Sequence, residues 1–367
     1  MNRSASKSQK GFSLVELILA MALGVLVMGA AVSMFKKGVD VTTITSQRAQ
    51  LQTDLRAAED MLAKDISMAG AGMPTGRIAV PNVAPLPRYG CDLSGTCYIN
   101  ATFPSFATVP ATPNAAYYVL PGPSRGPVIT PGQPATDTIT VIYADQAFLL
   151  NNYSVAFNAA GTAATFTPPA PLPVPAPQAV DDPVVGLKPG DVVMFQNSKG
   201  PALAVITGNV TKAGTAYTAP FANGDVLRLN NSAAGSQSVQ AILAGTQTQA
   251  SRIWIITYYL DTITDAAGNV TPRLMRQVNT QKPVPLADNV VNLKFTYDTY
   301  DANGVLQGEL PDAGASSVPP VTPDLIQKVN LAALTARSPT RGPAGFQGFN
   351  LQTQISVRNL SFKDRYQ

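Results

Sequence analysis

The sequence has no histidine, two cysteines and one tryptophan, and only 13% of its 367 residues are charged. Each scarcity closes off a class of chemistry. Without histidine there is no Ser-His-Asp or Cys-His nucleophile arrangement and no imidazole metal ligand. Two cysteines cannot build a four-cysteine zinc site. Sparse charge beside 45% hydrophobic residues excludes a disordered polyelectrolyte. No phosphate-cradling glycine loop and no G-x-S-x-G elbow is present. No catalytic residue is therefore assigned, and no enzyme activity, cofactor or metal is expected. The length leaves ample chain for a buried core and room for two or three domains.

Glycine and proline are plentiful, at 28 and 31 residues, and the prolines lie beyond residue 70. The net charge of +4 and a sequence pI near 9.0 nominally suggest an acidic partner. The location of the charge argues otherwise. Residues 1–11 carry Arg3, Lys7 and Lys10 and no acid, and without them the side-chain balance falls to +1. Nucleic acid is not expected as a partner.

From Leu17 to Phe35 no residue is charged, close to the ~20 residues that span a bilayer as a helix. A cleaved secretory signal is the competing reading, since Ala30, Ala31 and Ser33 can mimic its cleavage site. Glu16, at the head of the run, is foreign to such a signal, because a carboxylate entering a bilayer costs ~2.5–3.5 kcal/mol. Beyond Lys36-Lys37-Gly38, apolar residues fall at Val41, Ile44, Leu51, Leu55, Ala58, Leu62 and Ile66, which is helical spacing. Ala69-Gly70-Ala71-Gly72-Met73-Pro74 supplies a stop. One helix over 12–69 would be roughly 87 Å long. A helix pair broken at Gly38 is the alternative.

The string Lys10-Gly11-Phe12-Ser13-Leu14-Val15-Glu16-Leu17 resembles the prepilin cleavage signature of the type IV pilin superfamily. The resemblance implies that a prepilin peptidase cuts between Gly11 and Phe12 and that the new amine on Phe12 is methylated. It implies that Glu16 pairs with the terminal amine of a neighbouring subunit and so sets register; a lone Glu16 snorkelling to the interface is the alternative. It also places the N-terminus in the cytoplasm, where three basic residues before the span against two after it give only a thin bias. The implied organisation is a leader at 1–11, a membrane-spanning and polymerising helix at 12–35, its amphipathic continuation at 36–69 and an exported head at 70–367. Many pilins carry a proline within this helix; here there is none, only Gly24 and Gly29, which suit close helix approach.

The head reads as β-rich. Strands are expected at 115–120, 137–143, 191–195, 202–207, 225–229, 252–260, 273–278, 289–297, 326–334 and 351–358. In 289–297, Val291, Leu293, Phe295 and Tyr297 share the apolar face. Trp254 is expected in the core. Residues 168–177 (PPAPLPVPAP) favour extended polyproline II in a surface loop. Residues 261–269 lack EF-hand ligand spacing and read as a hairpin turn. Cys91 and Cys97 would pair as a disulfide in an exported domain; two reduced thiols are the alternative. The fold class is α+β, a long N-terminal helix packed on an antiparallel β-rich domain with long Pro/Gly-rich loops.

Residues 62–70, 287–297, 326–333, Arg337-Ser338 and 357–360 are similar, in this order, to segments of PilW-like minor pilins. Residues about 75–250 match no segment of that family and form its variable region, ahead of a family-like sheet at about 251–367. The resemblance implies a minor pilin that enters a type IV pilus and helps initiate assembly at the tip, in support of motility or cell adhesion. Its partners would be the peptidase, other minor and major pilins, and the inner membrane before assembly; its destinations are that membrane, then the fibre at the cell surface. A minor pseudopilin of a type II secretion system, a tip adhesin or DNA-binding pilin, and a tethered β domain unrelated to pili remain open.

Overall fold

The structure, a computed structural model, describes residues 11–104, 114–233, 237–300, 305–310, 323–342, 345–357 and 359–360. The leader positions 1–10 and Arg358 lie outside the described residues. A single helix, α1 (Leu14–Met68), runs for 55 residues without a break, about 82 Å. It starts two residues later than the spacing suggested because Ser13 is its N-cap. Gly38 does not divide it: the Thr42 and Thr43 hydroxyls donate to the Gly38 and Val39 carbonyls and the helical ladder continues. The stop works as glycine stops do. Gly70 takes a left-handed φ of 76°, and a β-carbon there would come to 3.3 Å from Leu360 and Tyr118.

The two halves of α1 differ in surroundings. Its most apolar stretch is not buried at all. In its second half Leu55, Ala58, Leu62 and Ile66 are buried, on one stripe at intervals of three and four. That stripe meets a four-stranded antiparallel sheet in the order Leu306–Leu310, Val290–Tyr300, Ile326–Gly342, Gly345–Ser356. The last two form a long hairpin beside the helix. The same core takes Val119, Ile139, Val141, Ile256, Tyr258 and Leu274 from a seven-stranded sheet built on the central strand Gln249–Thr264. Residues from both sides of position 250 thus share one sheet. A second cluster lies on that sheet's other side, and a third, rich in phenylalanine, gathers Phe148, Phe166, Phe195 and Phe221.

Most expected strands are present, several of them longer than expected. Residues 225–229 are not a strand. The buried Asp225 carboxylate accepts the N–H groups of Leu227, Leu229 and Asn230, and Arg228 adopts φ 61°, so the segment folds into a turn around the acid. In Val290–Tyr300 the register shifts between Val290 and Asn292. Val290, not Val291, therefore enters the core. Trp254 is only half buried; its ring lies 4.8 Å from the Arg252 guanidinium, with Phe148 at the same distance. The alanine- and threonine-rich strands Ala163–Thr167 and Ala216–Pro220 were not expected, because small side chains leave no apolar alternation to read. Residues 168–177 contain no strand.

Candidate functional site

The chemistry that the sequence places at the N-terminus is exposed. Phe12 is 88% accessible, and a β-carbon on Gly11 would meet nothing within 4 Å. Among the described residues nothing covers the Gly11–Phe12 bond. Ser13 and Glu16 cap each other: the Ser13 N–H donates to the Glu16 carboxylate at 3.0 Å, and the Glu16 N–H donates to the Ser13 hydroxyl at 3.2 Å. This reciprocal box satisfies two helix-start donors. It also gives Glu16 a local role within one chain. Around Gly24 and Gly29 the helix surface is equally open.

At the other end of α1 lies a cluster that the sequence reading passed over. Asp65 occupies a position on the buried stripe and is itself 4% exposed. Its Oδ2 accepts the Tyr258 hydroxyl at 2.6 Å and the Arg276 Nε at 2.8 Å, and its Oδ1 accepts the Tyr143 hydroxyl at 3.0 Å. Arg276 also donates to the Tyr258 oxygen at 3.2 Å. Burial, with the Asp65 charge adding to it, pushes the Tyr143 and Tyr258 hydroxyls well above the usual tyrosine range. Burial disfavours the Arg276 charge, but Asp65 outweighs it and holds that charge more firmly. The helix is thus fastened to the central sheet by a fully paired carboxylate, the condition under which a buried charge is tolerated. An acid on an apolar stripe was the available signal.

Two further buried pairs lock the sheets. Arg252 donates through Nε to Asp145 at 2.8 Å and through Nη1 to the Val185 carbonyl. Lys294 donates at 2.7 Å to Asp137, whose carboxylate also accepts the Phe295 N–H. Each acid is satisfied by its protein partners, so these are framework contacts.

Cys91 and Cys97 are joined by a disulfide between paired strands Arg88–Cys91 and Cys97–Thr102. Asp92 organises the loop between them, accepting the Ser94 and Thr96 N–H groups and the Ser94 and Tyr98 hydroxyls. Burial opposes the Asp92 charge, but these donors outweigh it and hold the carboxyl below its usual range. Burial and Asp92 together push the Tyr98 hydroxyl up to about 12. Replacing both cysteines by serine should lower stability by about 2 kcal/mol, the loop being short; a denaturant midpoint on the oxidised and double-serine chains measures it. The Asp92 contribution has a definite sign. Its folded value is depressed, so its stabilisation is complete above the ordinary carboxylate range and is lost as pH falls through that lower folded value.

The 261–269 segment is a hairpin turn in which Asp265 accepts the Ala267 and Asn269 N–H groups. Among the described residues no three acidic, cysteine or histidine side chains gather as a ligand group. Comparisons with curated proteins and with solved structures find no match. Residues 6–32 match the family model described as the prokaryotic N-terminal methylation motif, so the N-terminus of this chain carries a type IV pilin-like prepilin signature.

Proposed function

We propose that this chain is a minor pilin of a type IV pilus, cut between Gly11 and Phe12, methylated on Phe12 and inserted into the fibre through α1. In this reading residues 12–35 hold the subunit in the inner membrane with the N-terminus cytoplasmic. The head from residue 70 onward lies on the far side and helps to start assembly, together with other minor pilins at the tip. Residues 75–250 then supply its individual surface. The observation that carries the proposal is the pairing of the methylation motif with a helix that is wholly uncovered along its apolar half and buried along its other half. An uncovered apolar helix has no soluble use; it needs lipid or other helices around it.

Mass spectrometry of the chain isolated from piliated cells tests this directly. The mature N-terminus should be Phe12 carrying one added methyl group. Gly11→Val should leave the uncut chain, with the head folded normally because nothing surrounds that position. An intact leader in the wild-type chain, or processing elsewhere, would remove the proposal.

A further inference from the structure

Two arginines from distant parts of the chain meet on the head. Arg88 opens the strand Arg88–Cys91, and Arg228 stands in the turn wound around Asp225. Each reaches across to the other's segment. The Arg88 Nε donates to the Val226 carbonyl at 2.9 Å, and its backbone N–H donates to the Leu227 carbonyl at 3.0 Å. The Arg228 Nη1 donates in turn to the Leu86 carbonyl at 3.5 Å. Each side-chain acceptor stands two residues before an arginine, so the two guanidinium groups lie over one crossing of the chain. Both arginines are half-buried. The turn beneath them is fixed from within: Asp225 accepts the Leu227, Leu229 and Asn230 N–H groups, and the Asn230 amide donates to the Val205 and Ala222 carbonyls.

The second cation is held there at a cost. Burial disfavours the Arg88 charge, and the Arg228 charge disfavours it further, with Asp225 opposing both. Arg228 also adopts φ 61°, a left-handed conformation that glycine takes freely and an L residue resists. Its neighbours Leu227 and Leu229 are buried and anchor the turn; between them glycine would serve the backbone better. Within the chain the Arg228 side chain gains one long hydrogen bond. Strain retained at a residue other than glycine points to a use for its side chain. Asp225 is the one acid in residues 80–91 and 221–232, and its oxygens are taken by its own turn. Asp92, four residues beyond Arg88, is occupied by its own loop. Among the described residues neither guanidinium has a carboxylate within 4 Å. Each spends one side-chain donor in the bonds above and keeps the rest of its fork. Two such forks on a rigid turn suit the several oxygens of a phosphate group.

We propose that Arg88 and Arg228 together form a binding site for a phosphate-type oxyanion, supplied as inorganic phosphate or as a phosphate ester. The test uses the full chain in a maltoside detergent, with ionic strength held constant by chloride. Inorganic phosphate and glycerol 3-phosphate are titrated in separately, and phosphorus-31 relaxation reads the bound fraction. The wild-type chain should bind at least one of them saturably, and the tighter of the two identifies the source. Arg228→Gly should weaken that binding roughly 10–100-fold, through loss of one guanidinium's charge-assisted bonds. Its denaturant midpoint without phosphate should match the wild type, since glycine fits the left-handed turn; lost binding is then not lost folding. Arg88→Gln should weaken binding in the same way. Absence of saturable binding in the wild type overturns the proposal, and so does undiminished binding by Arg228→Gly. Displacement of bound phosphate by equimolar acetate also overturns it, because the surface would then attract any anion.

Discussion

Replacing Asp65 by alanine is expected to cost about 3–5 kcal/mol of stability, because it strands the Arg276 charge and two tyrosine hydroxyls in the interior. The surroundings offer no substitute acceptor of like strength: the carboxylate takes three donors from three sheet strands. A graded series separates this from simple loss of volume. Tyr258→Phe removes two hydrogen bonds, one donated to Asp65 and one accepted from Arg276, and should cost about 1–3 kcal/mol, while Leu62→Ala, one turn earlier on the same stripe, should cost about 2–5 kcal/mol through its cavity. Denaturant midpoints of the full chain in detergent give the three values. If Asp65→Ala falls below the Tyr258→Phe change, the carboxylate is not fastening the helix. The same cluster sets an alkaline limit. Its tyrosines ionise in the folded state only far above their ordinary value near 10. Their stabilisation is therefore complete below that pH, and it falls as pH rises past it, because the unfolded chain ionises first.

Glu16→Gln is expected to lower incorporation into pili by roughly 10²–10⁴-fold while leaving the isolated subunit intact. In the proposed fibre the size follows from ~3–5 kcal/mol for an unpaired charge in a desolvated helix bundle, the terminal amine of the adjoining subunit being that charge. Glutamine keeps the capping box with Ser13, since either residue serves at that position. It removes only the charge. Glu16→Ala loses the cap as well, which adds about 0.5–2 kcal/mol of local fraying at the helix start. Neither change should move the melting temperature of the head, because residues 14–43 of α1 are all exposed among the described residues. Sheared-pilus yield and head melting temperature measured on the same variants test both statements. Normal incorporation of Glu16→Gln would assign Glu16 to helix capping alone.

These two residues show what could be read from the chain and what could not. Glu16 stands in a contiguous string, and its cap, its apolar run and the stop at Gly70 are all local, set by positions within a few residues of each other. The helix and its buried stripe at Leu55, Ala58, Leu62 and Ile66 are legible for the same reason, as is the small loop between Cys91 and Cys97. Local spacing is less decisive in the sheets. The register shift that exchanges Val291 for Val290 and the turn wound around Asp225 both depend on contacts made after folding.

The role of Asp65 is not legible from its neighbours in the chain, because its partners Tyr143, Tyr258 and Arg276 lie 78, 193 and 211 positions away. The sequence by itself determined the methylation-motif string, the uncharged apolar run and the stripe that meets the head, since hydrophobic periodicity and capping act over one or two turns. Only the tertiary structure decided which charges are buried and paired, and which strands pack against the second half of the helix. Both depend on strands brought together from distant parts of the chain, and no short-range pattern encodes that meeting.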